Sequence, residues 1–180
     1  MKGIVLVELL EMIEARFSYD MVDSIIEQMD PSSGGAYTTV GTYPHSEVIA
    51  IVQALSEKTG VEIPYLVKAF GNHLLGRFVE LYPDFFADVN DTFSFLQTVE
   101  NHIHIEVLKL YSDAELPKIA CEFRGDNVLI LEYQSTRPFA DLAEGLILST
   151  IEHYGESIRV NREDLDGEPG TRARFTMEKV

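Results

Sequence analysis

Three polar side chains close the apolar run in VLILEYQSTRP, residues 128 to 138: Tyr133, Ser135 and Arg137, spaced two apart. On an extended chain this spacing puts a phenol, a hydroxyl and a guanidinium on one side, roughly 6–7 Å between neighbours. Such a row offers donors to carboxylates, and Arg137 can bind one bidentately. Upstream, ENHIHIEVLKLY holds His102 and His104. An H-x-H pair could share a zinc ion on a strand, but residues two apart on a helix point about 200° from one another. Val107, Leu108 and Tyr111 give this stretch a helical pattern, and no second cluster supplies the other ligands that zinc needs. His104 shares the apolar stripe and is expected to face the interior, whereas His102 shares a half-solvated one with Ile105, Glu106 and Lys109. A lone inward histidine is usually a hydrogen-bonded core residue. Taken with the polar row at 133–137 it has a further use. A haem needs a neutral imidazole on iron and donors for its propionates, all bordering an apolar slot.

The elements that must position these residues show in the hydrophobic period. In KGIVLVELLEMIEARFS, Val5, Leu9, Met12 and Ile13 recur at near-helical spacing while the glutamates take another face. SYDMVDSIIEQMD makes a second helix, stopped by PSSGG. SEVIAIVQALSEKTG makes a third, capped by Ser46 and ended by Gly60. A fourth, IPYLVKAFGNHLLGRFVELYP, ends near Pro83, and a long fifth, DTFSFLQTVENHIHIEVLKLY, carries His104. After Pro117 the period becomes alternating. KIACEF and VLILEY form a hairpin about RGDN, and ESIRVNR and RARFTMEKV form another, joined by EDLDGEPGT. Between them RPFADLAEGLILSTIEHYG returns to a helix with Pro138 in its first turn. This order predicts an α+β fold with a roughly four-stranded antiparallel sheet. No internal repeat or low-complexity tract interrupts it, and no linker divides the chain.

The 180 residues suffice for one domain, or two intimately packed lobes, with a sizeable core. Lys and Arg total 14 against 30 Asp and Glu, a net charge of −16 that argues against nucleic acid or an anionic membrane as the main partner. Glu8, Glu11 and Glu14 interrupt the apolar N-terminus, which has neither a signal-peptide core nor a cleavage site. No segment is apolar for the length of a membrane span, so a cytoplasmic protein is expected. The one cysteine, Cys121, excludes an internal disulfide and is expected to be an inward, inert strand thiol.

MKGIV at the start, AYTTVGTYP at 36–44, VKAFG at 67–71, H-x6-Y-x5-P from His104 through Tyr111 to Pro117, and Y-x-S-x-R at 133–137 resemble the H-NOX family. These are haem nitric oxide/oxygen binding domains, related to the haem domain of soluble guanylate cyclase. The resemblance spans essentially the whole chain. It implies a single haem-binding domain over residues 1–180, with a helical lobe of about 1–62 and a lobe of about 63–180 that carries the ligand helix and sheet. Haem b, Fe protoporphyrin IX, would lie between them. His104, selected over His102 by its spacing to Pro117, is implied as the axial iron ligand, and Tyr133, Ser135 and Arg137 as the propionate-binding triad. Pro117 matches a residue that packs on the haem and bends it, and Val5 an apolar contact on the porphyrin. Leu9, Phe78, Leu142 and Leu146 fall at positions bordering the haem or its distal pocket.

Leu142 bears on the gas. Oxygen-binding members carry a tyrosine there, five residues after the triad arginine, and Leu9 and Leu74 likewise replace polar or indole donors found in some relatives. Iron-bound oxygen is stabilised by a hydrogen-bond donor and bound nitric oxide needs one much less, so selective nitric oxide sensing is expected. The resemblance further implies a bacterial-type sensor rather than an enzyme. It would bind nitric oxide (and CO) and act on a separate histidine kinase or cyclic-di-GMP enzyme. Ala140 stands where some members have a zinc-binding cysteine and no cysteine follows 121, so no structural zinc is expected. Two rival readings are an oxygen-binding haem protein and a haem-free interaction module in which the triad is structural. Among the remaining candidates, His153 suits the helix C-terminal dipole, and His45 and His73 have no clear chemical neighbours. SSGG at 32–35 lacks a phosphate-loop context, and REDLDGE lacks EF-hand spacing.

Overall fold

The structure, a computed structural model, describes residues 1–31, 33–165 and 167–180; Ser32 of the SSGG turn and Asp166 of the REDLDGE stretch lie outside the described residues. Helices α1 (Gly3–Arg16), α2 (Tyr19–Met29), α3 (His45–Thr59) and α4 (Ile63–Leu81) come first. Asp30, at φ 43°, and Gly60, at φ 72°, end α2 and α3 in the left-handed region. The expected Ser46 cap is not used: α3 begins at His45 behind Pro44, without a side-chain cap. Proline's fixed φ already sets the entry angle there, so the cap falls two residues early, at Pro44.

A short helix that the period does not show, α5 (Asp84–Ala87), precedes α6 (Thr92–Thr98). The expected single long fifth helix is broken into three pieces. α6 passes through a π-helical turn, Val99–Ile103, into α7 (His104–Leu110). Such turns insert an extra residue into the helical ladder and recur at functional sites. The insertion shifts the faces of everything downstream, which hydrophobic periodicity cannot register.

β1 (Lys118–Arg124), β2 (Val128–Gln134), β3 (Ile158–Asp164) and β4 (Arg172–Lys179) form an antiparallel sheet in the order β1-β2-β4-β3, so the fold is α+β as expected. The two hairpins meet along β2 and β4, with Leu131 opposite Phe175. α8 (Ala140–His153) lies between the hairpins in sequence. Pro138 precedes it by two residues rather than sitting in its first turn, an ordinary shift of a helix boundary.

One core gathers Leu6, Leu9, Ile13, Ile51, Leu55 and Phe70 from α1, α3 and α4. A second gathers Phe93, Phe95, Leu129, Leu131, Phe175 and Met177 under the sheet. Phe78 and Leu146 pack against both. Helices α4 and α8 join the two cores at a glycine crossing. A Cβ on Gly145 would lie 2.3 Å from the Lys68 carbonyl oxygen, and one on Gly71 2.7 Å from that of Leu142. No other residue type permits backbones to approach so closely.

The glutamates of α1 do not all take the outer face. Glu8 is 3% exposed and is hydrogen-bonded by the Arg77 Nε at 3.0 Å, with the His73 Nε2 at 3.3 Å. His73, expected to lack a chemical neighbour, therefore has a buried carboxylate beside it. The Glu8 ion pair is what makes burial of its charge tolerable.

Candidate functional site

His104 opens α7, immediately after the π turn, and its side chain is 15% exposed. Its Nδ1 lies 3.0 Å from the Glu100 Oε2, one helical turn back. A carboxylate only accepts, so Nδ1 carries the proton and the lone pair of the neutral ring is on Nε2. Among the described residues Nε2 has no hydrogen-bond partner. The same Glu100 oxygen accepts the Ile119 backbone N–H at 3.1 Å, tying the ligand segment to β1. A metal-bound histidine typically donates its other N–H in this way, which fixes its tautomer and orientation.

The stripe expected to bury His104 is only partly buried. Val107 and Tyr111 are half-buried, but Leu108 is 42% exposed and no residue of the π turn or α7 is buried. The added residue of the π turn is the reason. His102 is exposed, with its ring edge-on to Phe85 at 6.0 Å between centroids.

Tyr133, on β2, is 4% exposed and sits opposite Ile119 in the ladder. Burial pushes its phenol above the ordinary range, while Ser135 and the Arg137 charge pull the other way, so it remains a donor. The expected straight row of three does not persist. β2 ends at Gln134, and the Arg137 N–H donates to the Ser135 Oγ at 3.1 Å, closing a bend. The bend, rather than the strand pleat, brings Ser135 and Arg137 together; serine side chains favour such local turns. The Arg137 side chain is 10% exposed, and its guanidinium pairs with the Glu115 carboxylate and donates to the Glu115 carbonyl oxygen at 3.3 Å.

Of the apolar candidates, Val5, Phe78, Pro117, Leu142 and Leu146 are half-buried, while Leu9 and Leu74 are fully inside at 0% and 3%; Val5, Phe78, Leu142 and Leu146 pack on the core that holds Leu9 and Leu74. Beside them the N-terminal end of α1 is clamped to the segment that follows α7. The Lys2 Nζ lies 2.9 Å from the Asp113 Oδ1 and 4.9 Å above the Tyr111 ring, and the Thr42 Oγ1 donates to Asp113 at 2.9 Å. Among the described residues no group of three or more His, Cys, Asp and Glu side chains is placed to hold a metal. His104 could therefore hold iron only with a cofactor that supplies the remaining ligands. Among the described residues, an imidazole whose Nε2 has no hydrogen-bond partner, a buried guanidinium, a buried phenol and a set of apolar side chains offer the groups that a flat apolar ring bearing carboxylates needs. In its donor chemistry the site suits haem.

The profile of the haem-NO-binding family matches residues 2–162. The chain belongs to this family, the H-NOX domains. No curated protein matches it. Among solved structures, the unliganded ferrous H-NOX protein from K. algicida is similar over 100% of this chain and 97% of its own, at 38% identity and a TM-score of 0.93. The S. oneidensis H-NOX protein in its Fe(II)NO state is similar over 100% of this chain and 99% of its own, at 27% identity and a TM-score of 0.91. The Shewanella woodyi H-NOX in its Fe(II)CO state is similar over 100% of this chain and 95% of its own, at 38% identity and a TM-score of 0.86. The family is one of haem-binding gas sensors, and this H-NOX domain has its fold throughout.

Two residues of the site were not found from the sequence. Glu100 stands four before His104, a helical spacing that pairs side chains, and could have been noticed. Glu115 reaches Arg137 from a loop, where no period applies. Elsewhere a groove of about 630 Å³ lies between Val52, Val67 and Phe139, rimmed by Lys68, Asp141, Glu144 and Arg162. Arg162 is paired with Asp141 and Glu144, and Lys68 with Glu144, which makes the rim an ion-paired seam. Cys121 is half-buried, its S–H directed at the Leu96 carbonyl at 3.8 Å; burial, with the Glu100 charge, pushes the thiol up to about 11. His153 ends α8 as expected and lies against Phe86 and Tyr154. Among the described residues no helix is long and apolar enough to cross a membrane.

Proposed function

We propose that this H-NOX domain is a cytoplasmic sensor of nitric oxide, which also takes CO, rather than an enzyme. It would signal to a separate protein, a histidine kinase or a cyclic-di-GMP enzyme, when the Fe–His104 bond is weakened or broken. Haem b, when bound, supplies the ferrous iron at which the gas is held. The observation that carries the reading is His104: its Nδ1–H is fixed on Glu100 and, among the described residues, its Nε2 has no partner. Tyr133, Ser135 and Arg137 would hold the propionates. Val5, Leu9, Phe78, Leu142 and Leu146 would border the ring, and Pro117 would press on it. Leucine at 9, 74 and 142 offers no donor to a polar gas complex, which favours nitric oxide over oxygen.

The one domain would work as two lobes, about 1–62 and about 63–180. α7 buries none of its residues, so little packing opposes a shift of the ligand segment. Its C-terminal end is coupled to α1 through the Lys2, Thr42 and Asp113 cluster. A gas can shift such an equilibrium by no more than its differential affinity for the two arrangements.

The deciding measurement is the absorption spectrum of the reconstituted ferrous protein, before and after nitric oxide and then in air. A five-coordinate ferrous spectrum, a nitric oxide complex and no stable oxygen complex are expected. Absence of a Soret band would instead favour the haem-free module, and a stable oxygen complex the oxygen carrier. His104→Ala should take up haem poorly unless imidazole is added, and Arg137→Ala should retain it less well. A native ferrous spectrum from His104→Ala without imidazole would remove the ligand assignment.

A further inference from the structure

The Glu100 carboxylate has a role beyond holding a tautomer. We infer that Glu100 is a positioning residue that both strengthens His104 as an iron ligand and links that ligand to the strand facing the triad. The inference rests on the reading of His104 as the axial ligand.

A single oxygen, the Oε2, receives two donors: the His104 Nδ1 at 3.0 Å and the Ile119 N–H at 3.1 Å. An ordinary exposed helical ion pair engages no third group; this one reaches 19 residues along the chain. β1 is an edge strand, and the Ile119 amide donates to Glu100. Opposite Ile119 across the ladder is Tyr133. One carboxylate and one rung of sheet thus separate the imidazole from the first member of the triad.

Two consequences follow from this geometry. An anionic acceptor on Nδ1–H adds electron density to the ring and makes Nε2 a stronger donor than a neutral acceptor would. Because both donors share one oxygen, movement of His104 away from Glu100 leaves the Ile119 amide as its remaining partner and shortens that bond. Glu100 lies within the π turn and His104 opens α7 directly after it, so the two partners sit on either side of the junction between these elements.

The test uses haem-loaded ferrous protein with Glu100→Gln, which keeps the size and an acceptor oxygen but not the charge, and with Glu100→Ala. Resonance Raman should show the Fe–His stretch falling from wild type to Glu100→Gln and further in Glu100→Ala. The nitric oxide complex should lose its histidine bond several-fold faster in the same order. In the diamagnetic CO-saturated protein the Ile119 amide proton should move upfield in both variants. If Glu100→Ala does not fold, the Glu100→Gln comparison decides alone. An unchanged Fe–His stretch in haem-loaded Glu100→Gln overturns the inference, even if the Ile119 signal moves, because Glu100 would then be only a strand clip. A wild-type protein that binds haem without any Fe–His stretch overturns the ligand assignment itself, a separate and recognisable failure.

Discussion

The α4–α8 crossing and the ligand segment, Val99–Leu110, are both helical, yet they are held in opposite ways. At the crossing Gly71 and Gly145 let two backbones touch, and Phe70, Leu74, Leu75 and Ile147 are buried on either side. The ligand segment buries nothing and leaves Ile105, Leu108 and Leu110 at 47%, 42% and 69% exposure. What holds it is largely polar: Glu100 to Ile119, and the Lys2 and Thr42 contacts to Asp113 just beyond, with Val99 and Ile103 only partly buried against the sheet core. A sensor needs this division. On the proposed reading, in which His104 holds the iron, the scaffold would have to stay fixed while the segment carrying His104 yields cheaply, as low-stability elements do.

The largest expected effect lies at the crossing. Gly145→Val puts a branched side chain against the Lys68 backbone and should cost about 3 kcal/mol or more, read as a lower denaturation midpoint. A near-neutral result would mean the helices can separate, and the contrast would collapse.

Cys121 comes next, because its thiol meets the Leu96 carbonyl of α6, just before the π turn, and feels the Glu100 charge. With its thiol pushed up to about 11 from an ordinary 9.0, its thiolate fraction near neutral pH is about 100-fold below that of a free cysteine. Alkylation should be correspondingly slow and should accelerate only at strongly alkaline pH. Labelling at the free-thiol rate would show that the ligand segment opens far more readily than its hydrogen bonds suggest.

A smaller effect is expected at Asp91, the N-cap of α6, which accepts the Phe93 and Ser94 N–H groups at 3.1 and 3.2 Å. Burial alone would raise this carboxyl; the Ser94 bonds, the Lys179 charge and the Phe93 N–H outweigh it, and the net shift is downward. A depressed folded value stabilises the protein above about pH 4 and loses that contribution as pH falls through it. Asp91→Ala should therefore cost about 1 kcal/mol at neutral pH, with the gap to wild type closing under acid in parallel unfolding curves. A gap that widened under acid would reverse the sign argued here.

Leu108→Ser should have the smallest effect, within about 0.5 kcal/mol, since the side chain is 42% exposed. A cost of several kcal/mol would show that the ligand segment is as tightly packed as the crossing.

Much of this contrast could not be read from the residues in order. Strand alternation placed both hairpins, because a half-buried strand writes its two faces directly into the sequence, and Gly60 marked the end of α3 for the steric reason that favours glycine there. The H-x6-Y-x5-P and Y-x-S-x-R spacings singled out the candidate site residues, since a resemblance in spacing survives whatever the local backbone does. The π turn was illegible, because one extra residue in a helical ladder leaves composition unchanged. Glu8 looked like a surface residue for a similar reason: its burial depends on Arg77 and His73, 69 and 65 residues away.

By itself, then, the sequence determined what local chemistry dictates: both hairpins, the four N-terminal helices and α8, and which imidazole and which donors have the spacing of a haem site. Only the tertiary structure decided how those groups meet. It bent the chain after Gln134 to bring Ser135 to Arg137, set Glu100 between His104 and Ile119, and paired Arg137 with Glu115. The Glu100–Ile119 and Arg137–Glu115 contacts join residues 19 and 22 apart, a separation in the chain that has no fixed relation to their separation in space. Their cost and benefit are settled by burial, which a linear pattern of polar and apolar residues records only on average.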